Sequence, residues 1–362
     1  IAALAAELRG GHLDTFAIGF DDPTIDESPA ARRVAAAIGS RHHEERLSAR
    51  TVLGLLPAIG QLLDEPLGDG SIVPTHLLAR FARGQVTVAL GGDGGDELFA
   101  GYPTFVAERA ARLLYDRIPW PIGALATRVG TAAARMLPVS TSYFSLDFKL
   151  RQFVKAHGHS GARRHQAWLG SFAPAAAIAC LSGDVARAAG ADLYDVIDRR
   201  LEACSATDPW DRLLYFYAKG YLGDDVLTKV DRATMAVGLE ARAPFLDSRV
   251  VALACRLAPS LRLRGLTTKY LLKRAMRGLL PAETLARKKQ GFGMPIGGWL
   301  RAELRPLLEE ELGERRLKED GLFAAAPIRR LVDEHVAGIA DHRKPLWTLL
   351  ALQRWRSCWK EM

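Results

Sequence analysis

The chain has 362 residues, with 49 lysines and arginines against 41 aspartates and glutamates, a formal net charge of +8. Hydrophobic residues make up 49% and charged residues 25%, which excludes a disordered chain and supports a buried core in roughly two domains. No run approaches the roughly 18 consecutive apolar residues that a membrane helix needs, and there is no strict repeat.

The chain begins at Ile1 and runs at once into IAALAAEL, a helix interior with no Ser, Thr, Asp or Asn as a cap. A helix that opens without a start signal suggests a piece of a longer chain; a signal peptide is excluded because the basic region is missing. Thr15–Phe20 (TFAIGF) reads as a strand that stops at Asp21-Asp22-Pro23, a turn. Ser28-Pro29 reads as a cap followed by proline at the first helical position. Ala31, Val34, Ala35 and Ile38 then share a helical face, closed by Gly39. His43–Leu47 reads as a second strand, 49–63 as a helix kinked at Pro57, Pro74 as the opening of another helix, and Val86–Leu90 (VTVAL) as a third strand. This alternation predicts an α/β fold with a mostly parallel sheet covered by helices.

From about residue 106 the chain reads as mostly helical. Apolar residues recur at helical spacing in Arg109–Arg117, Tyr194–Ala203, Trp210–Leu222, Val250–Ala258, Tyr270–Leu280 and Trp299–Leu312. The aromatic stripe of Trp347–Trp359 reads as core packing in preference to base stacking. Cys180, Cys204, Cys255 and Cys358 form no C-x-x-C pair, so a zinc site, a redox dithiol and a disulfide framework are all disfavoured, and idle thiols in a reducing, cytoplasmic setting are expected. The positive charge is scattered among acidic neighbours, so nucleic acid is not the expected partner and small anionic substrates are.

Open parallel sheets bind ligands at the carboxyl ends of their strands. There, directly after VTVAL, stands Gly91-Gly92-Asp93-Gly94-Gly95-Asp96-Glu97. Four glycines in five positions permit positive φ and close approach of a phosphate to backbone N–H groups. The carboxylates would repel a phosphate unless Mg²⁺ lies between them. The alternative is a glycine-rich turn with Asp96 capping the next helix. The spacing fits neither G-x-G-x-x-G nor the Walker pattern.

Leu90–Tyr102, LGGDGGDELFAGY, resembles the signature of the asparagine synthetase family. The resemblance extends in order through Phe16–Phe20, Asp64-Glu65-Pro66, Ser71–Pro74, Asp224–Met235 (DDVLTKVDRATM), Gly238–Asp247 (GLEARAPFLD), Thr268–Met276 (TKYLLKRAM) and Arg287–Trp299 (RKKQGFGMPIGGW). It implies a Rossmann-like sheet of the adenine nucleotide alpha hydrolase type with helices on both faces. In that scheme residues 1–105 form an incomplete nucleotide-binding core, and 106–362 a mainly helical part that returns to the active site at 224–299. The family's S-G-G-x-D-S pyrophosphate loop and its glutaminase domain are absent from this sequence, so this chain alone is expected to be weak or inactive.

The resemblance also implies a chemistry. ATP and Mg²⁺ turn a carboxylate, aspartate in the family, into an acyl-adenylate with release of pyrophosphate. Ammonia from a glutaminase domain then forms the amide, and a homodimer is the family's habit. Gly91 and Gly92 resemble the backbone contacts to the nucleotide, and Ile18 the residue beside adenine, with an ordinary core residue as the alternative. Asp93 stands where many relatives have Glu, near the intermediate or the incoming nucleophile. Asp96 resembles the Mg²⁺–pyrophosphate ligand, with Glu97 supporting or capping. Lys269 resembles the lysine that reaches the adenylate and pyrophosphate; a surface lysine is the plain reading. Lys229, Asp231 and Arg232 fall near the phosphates or form a helix-surface charge pair. Glu240 and Arg242 line the acceptor pocket or form a structural ion pair. Lys288 and Lys289, before Gly291-Phe292-Gly293, form a closing loop or a solvated linker. Ring-closing relatives such as β-lactam synthetases and lasso-peptide cyclases share the adenylation and replace ammonia with an internal amine. A non-catalytic module is the remaining alternative.

Overall fold

In the computed structural model, which describes residues 1–116, 122, 125, 128–132, 139–140, 145–190 and 192–359, strand β1 (Asp14–Phe20) pairs in parallel with β2 (Arg41–Leu47), Asp14 opposite Arg41 and Phe20 opposite Leu47. The Ser28–Ile38 helix makes the crossover that a parallel pair requires. It starts one residue earlier than Ser28 as a cap would place it. Ser28 is its first residue and is fully buried; the N-cap is Glu27, which makes no side-chain capping bond, and the Ser28 N–H donates instead to Asp26 Oδ1 at 3.0 Å. Gly39, at φ 67°, closes the helix in the left-handed conformation that glycine adopts most readily.

The next helix of this unit runs over Ile72–Arg83. Pro74 does not open it; it occupies the first turn, where its missing N–H has no intrahelical partner to lose. Ser71 at the N-cap makes no capping bond, and its Oγ accepts from Lys229 Nζ at 2.8 Å. The helix packs on β1 and on the Thr228–Met235 helix. Phe81 meets Phe16 edge-on at 5.9 Å, and Ala79, Ala82 and Leu239 form a small core with Phe16, Val86, Ala89 and Val237.

Strand β3 is shorter than expected, Val88–Leu90, and pairs in parallel with β4, Glu240–Arg242. The parallel sheet therefore takes the form of two two-stranded pairs. β4 was not foreseen: two charged residues around one alanine carry no apolar alternation for a strand to show.

The helix Pro209–Phe216 continues as a π-helix over Tyr217–Leu227 and then as the α-helix Thr228–Met235. π-helical turns are rare and cluster at functional sites. Here the widened stretch places Tyr217 in stacking contact with Tyr102 at 5.3 Å and Tyr221 edge-on to it at 5.6 Å.

The described residues fall into two compact units: Ile1–Ser48, Ser71–Val106 and Cys204–Met294 form one, Ala49–Gly70, Ala107–Ala203 and Pro295–Met362 the other. The second is helical. Its Ala49–Ile59 helix contains Pro57 and is followed by a 3₁₀ turn, Gly60–Leu62. Arg117, the end of one expected helix, lies outside the described residues. The expected helix at 299–312 is split into Ile296–Trp299 and Arg305–Glu311, with Pro306 in the first turn of the second piece. Leu300, Leu304, Leu308 and Leu312 nevertheless share complete burial. In the Arg343–Trp359 helix, Trp347 is buried, and the indole N–H groups of Trp355 and Trp359 both donate to Leu63 O, at 3.1 and 3.2 Å. Trp347 of the aromatic stripe is core packing, whereas Trp359, 42% exposed, lies at the surface. All four cysteines are free thiols, and among the described residues no helix is long and apolar enough to cross a membrane.

His335 ties this unit together. It is fully buried, contacts Gly297 O through Nε2 at 3.1 Å, and accepts the His342 N–H at Nδ1 at 3.1 Å. That pattern fixes a neutral ring, and burial holds its pKa down at about 4. The unfolded chain binds this proton first, near pH 6.5, so its contribution is present above that pH and is lost as pH falls from about 6.5 to about 4. Chemical denaturation across this range is expected to show falling stability in the native protein and a smaller slope in His335→Gln; equal slopes would contradict the assignment.

Candidate active site

The loop that follows β3 is built by glycine at particular points. Gly91 N–H donates to Arg242 O at 2.7 Å, tying the loop to the end of β4. Of its four glycines only Gly94 adopts positive φ, at 87°, and a Cβ there would also collide with the Leu246 side chain. Gly92 has open space around its Cα, which leaves its backbone approachable. The chain then turns into the four-residue helix Gly95–Leu98.

Asp96, on that helix, receives two ammonium groups. Lys269 Nζ lies 2.9 Å from Oδ1 and Lys289 Nζ 3.3 Å from Oδ2. Oδ1 is buried and has no hydrogen-bond partner, so its contact with Lys269 is ionic without hydrogen-bond alignment. Lys269 is held in the left-handed region at φ 52°, its N–H donating to Phe99 O at 3.2 Å. Ala100 is also left-handed at φ 52°. Non-glycine residues seldom adopt this conformation, and such strain concentrates at functional sites. Gly101 completes the arrangement: a Cβ on it would fall on Asp96 Oδ1 and Lys269 Cε.

Two further carboxyls flank Asp96. Burial pushes Asp93 above the usual carboxylate range, against the opposing charges of Lys229 and Lys289. Glu97, 2% exposed, is also raised by burial and accepts the Tyr102 hydroxyl at 2.5 Å. Lys289 sits over the Tyr102 ring, 6.0 Å from its centre. The loop, the buried Lys229, Lys269 and Lys289 therefore converge.

The other expected site residues are placed differently. Ile18 is buried in β1, 4% exposed. The Arg232 guanidinium pairs with the neighbouring Asp231 at 2.7 Å. The side chains of Glu240 and Arg242 pair with each other at 2.5 Å on the exposed face of β4, so in this structure the ion-pair alternative describes them. The LGGDGGDELFAGY motif includes Tyr102 without giving it a role, and the sequence does not mark its partners Tyr217 and Tyr221 as site residues. Their one sequence signal is a four-residue spacing that puts both rings on one helical face.

The donor set suits Mg²⁺. No cluster of three or more His, Cys, Asp or Glu ligands is present among the described residues. Mg²⁺ is commonly held by one or two carboxylates together with substrate phosphates, and Asp96 Oδ1 is a buried carboxylate oxygen without a hydrogen bond.

The asparagine synthase family model matches residues 1–357. The chain is 34% identical over 365 residues to a putative glutamine-hydrolyzing asparagine synthetase of Mycobacterium tuberculosis, covering 100% of this chain and 53% of the relative. It is 29% identical over 363 residues to glutamine-hydrolyzing asparagine synthetase 1 of Bacillus subtilis, covering 99% and 54%. It is 25% identical over 324 residues to the amidase chyE of Penicillium rubens, covering 83% and 47%. The chain thus spans about half the length of these relatives.

Replacing Gly101 by Ala is expected to force Asp96 and Lys269 apart and to cost about 1–3 kcal/mol, the usual range for overpacking. Urea denaturation measures it, and an unchanged midpoint would contradict the close packing described.

Proposed function

Because this chain belongs to the asparagine synthase family, we propose that it is a ligase-type enzyme that converts a carboxylate to an amide at the expense of ATP, with aspartate as the acid and asparagine as the product. A carboxylate oxygen attacks the α-phosphorus of ATP, the bond to the bridging oxygen breaks, and pyrophosphate leaves. Ammonia then attacks the acyl carbon, AMP departs with the electron pair, and a proton is lost from nitrogen. The ammonia is assigned to glutamine hydrolysis, in line with the names of the relatives. The cytoplasm is the expected setting, consistent with four unpaired thiols.

The observation that carries this reading is the convergence of two lysines on Asp96 within the LGGDGGDELFAGY loop. Asp96 would hold Mg²⁺, which supplies positive charge to the triphosphate. When the nucleotide enters, the ammonium groups of Lys269 and Lys289 turn to the phosphate oxygens and offset charge on the leaving pyrophosphate. Lys229 and Arg232 add positive charge near the phosphates, Gly91 and Gly92 offer backbone to the nucleotide, and Ile18 supports the adenine side. Glu240 and Arg242, exposed on β4, recognise the ammonium and carboxylate of the acceptor by exchanging their mutual bond for bonds to substrate. Asp93, whose raised pKa makes it a stronger base, takes the proton released as nitrogen attacks. A second reading keeps the adenylation and changes the acid, since over 83% of the chain the similarity extends to a relative that is named an amidase and not an asparagine synthetase.

ATP–pyrophosphate exchange by the full-length protein with aspartate and Mg²⁺ tests the assignment. Asp96→Asn and Lys269→Met are each expected to lower exchange by about 100-fold or more, the scale of losing one preorganised electrostatic contact. Asp93→Asn is expected to slow amide formation by about 100-fold or more while exchange persists. Exchange unchanged in Asp96→Asn would remove the proposal.

A further inference from the structure

The helical unit holds a cavity of about 860 Å³, in the size range of sites for small organic ligands. All its lining residues belong to that unit and none to the cluster around Asp96. Phe148, Phe172 and Leu331 give it apolar walls, and charged groups of both signs are set into them.

The first group is a pair of lysines. Lys155 Nζ donates to Gly170 O at 2.9 Å and Lys344 Nζ to Leu169 O at 3.1 Å, so two consecutive carbonyls hold two ammonium groups as neighbours. Burial, helped by the charge of Lys344, lowers Lys155 to about 8. No carboxylate among the described residues forms an ion pair with Lys155. A cation of this kind in a partly desolvated wall, with no carboxylate beside it, is unfavourable until an anion joins it. The second group is Asp147, 3% exposed, whose Oδ2 is buried without a hydrogen-bond partner. A buried carboxylate oxygen in this condition costs stability unless a donor reaches it. Asp147 and Lys155 lie two turns apart on one face of the Leu146–Lys155 helix.

We propose that this cavity is a second binding site, for a zwitterion with an apolar side chain, a free amino acid or a short peptide, its carboxylate against Lys155 and Lys344 and its ammonium against Asp147.

Calorimetric titration of the protein with leucine, leucyl-leucine, N-acetyl-leucyl-leucine and leucyl-leucinamide tests this. Leucyl-leucine is expected to bind, or leucine alone if the source is a free amino acid. Capping either charged end is expected to weaken binding by about ten-fold or more, the effect of losing one charged hydrogen bond. Asp147→Asn and Lys155→Met are expected to weaken it similarly. Asp147→Asn keeps the side-chain shape at a buried group whose Oδ2 has no hydrogen-bond partner, so its melting temperature is expected to equal or exceed that of the native protein, which separates lost binding from lost folding. Absence of binding by both zwitterions, or binding as tight by the capped peptides or by Asp147→Asn, would overturn the proposal.

Discussion

The Asp96 carboxylate, with one ammonium at each oxygen, is the interaction around which the unit holding β1 to β4 is arranged. Lys269 approaches from the start of the Tyr270–Ala275 helix and Lys289 from the 287–295 segment, so one side chain gathers three separate stretches of chain. The cost is visible in the backbone. Lys269 and Ala100 both occupy the left-handed region, and Gly101 has no room for a Cβ beside the pair. Strain of this kind persists where the surroundings over-determine it. Here those surroundings include the Leu98, Phe99 and Ala254 core, packed with Phe245, Leu246 and Leu272.

Three carboxyls within five residues are given different environments. Asp96 meets two cations, Asp93 is buried with lysine charges opposing its upward shift, and Glu97 is buried against the Tyr102 hydroxyl. Groups whose surroundings push them apart can take different parts in one reaction. Asp96 is suited to face positive charge, Asp93 to accept a proton, and Glu97 to anchor the aromatic cluster of Tyr102, Tyr217 and Tyr221.

Much of this was legible from residue patterns. Apolar runs ended by Asp-Pro and Gly marked β1 and the Ser28–Ile38 helix because those breaks are local chemistry. β4 was not, since Glu240 and Arg242 are strand residues only by virtue of pairing with β3. The π-helix over Tyr217–Leu227 was equally hidden: the apolar spacing of Trp210–Leu222 fits one continuous α-helix, and the change lies in which carbonyl each N–H chooses. In the site, Asp96 and Lys269 could be singled out by motif, and Lys289 as part of a basic loop. The contact of both lysines with one carboxylate, and the reason Gly101 must be glycine, depend on distances between residues far apart in sequence.

The central claim is that Asp96 exchanges lysine partners for magnesium when the nucleotide binds. Its most direct measurement is the affinity of the full-length protein for ATP with and without Mg²⁺, in the native form and in Asp96→Asn. The account predicts that magnesium tightens binding to the native protein and that this gain disappears in the variant. An equal gain in both would contradict it.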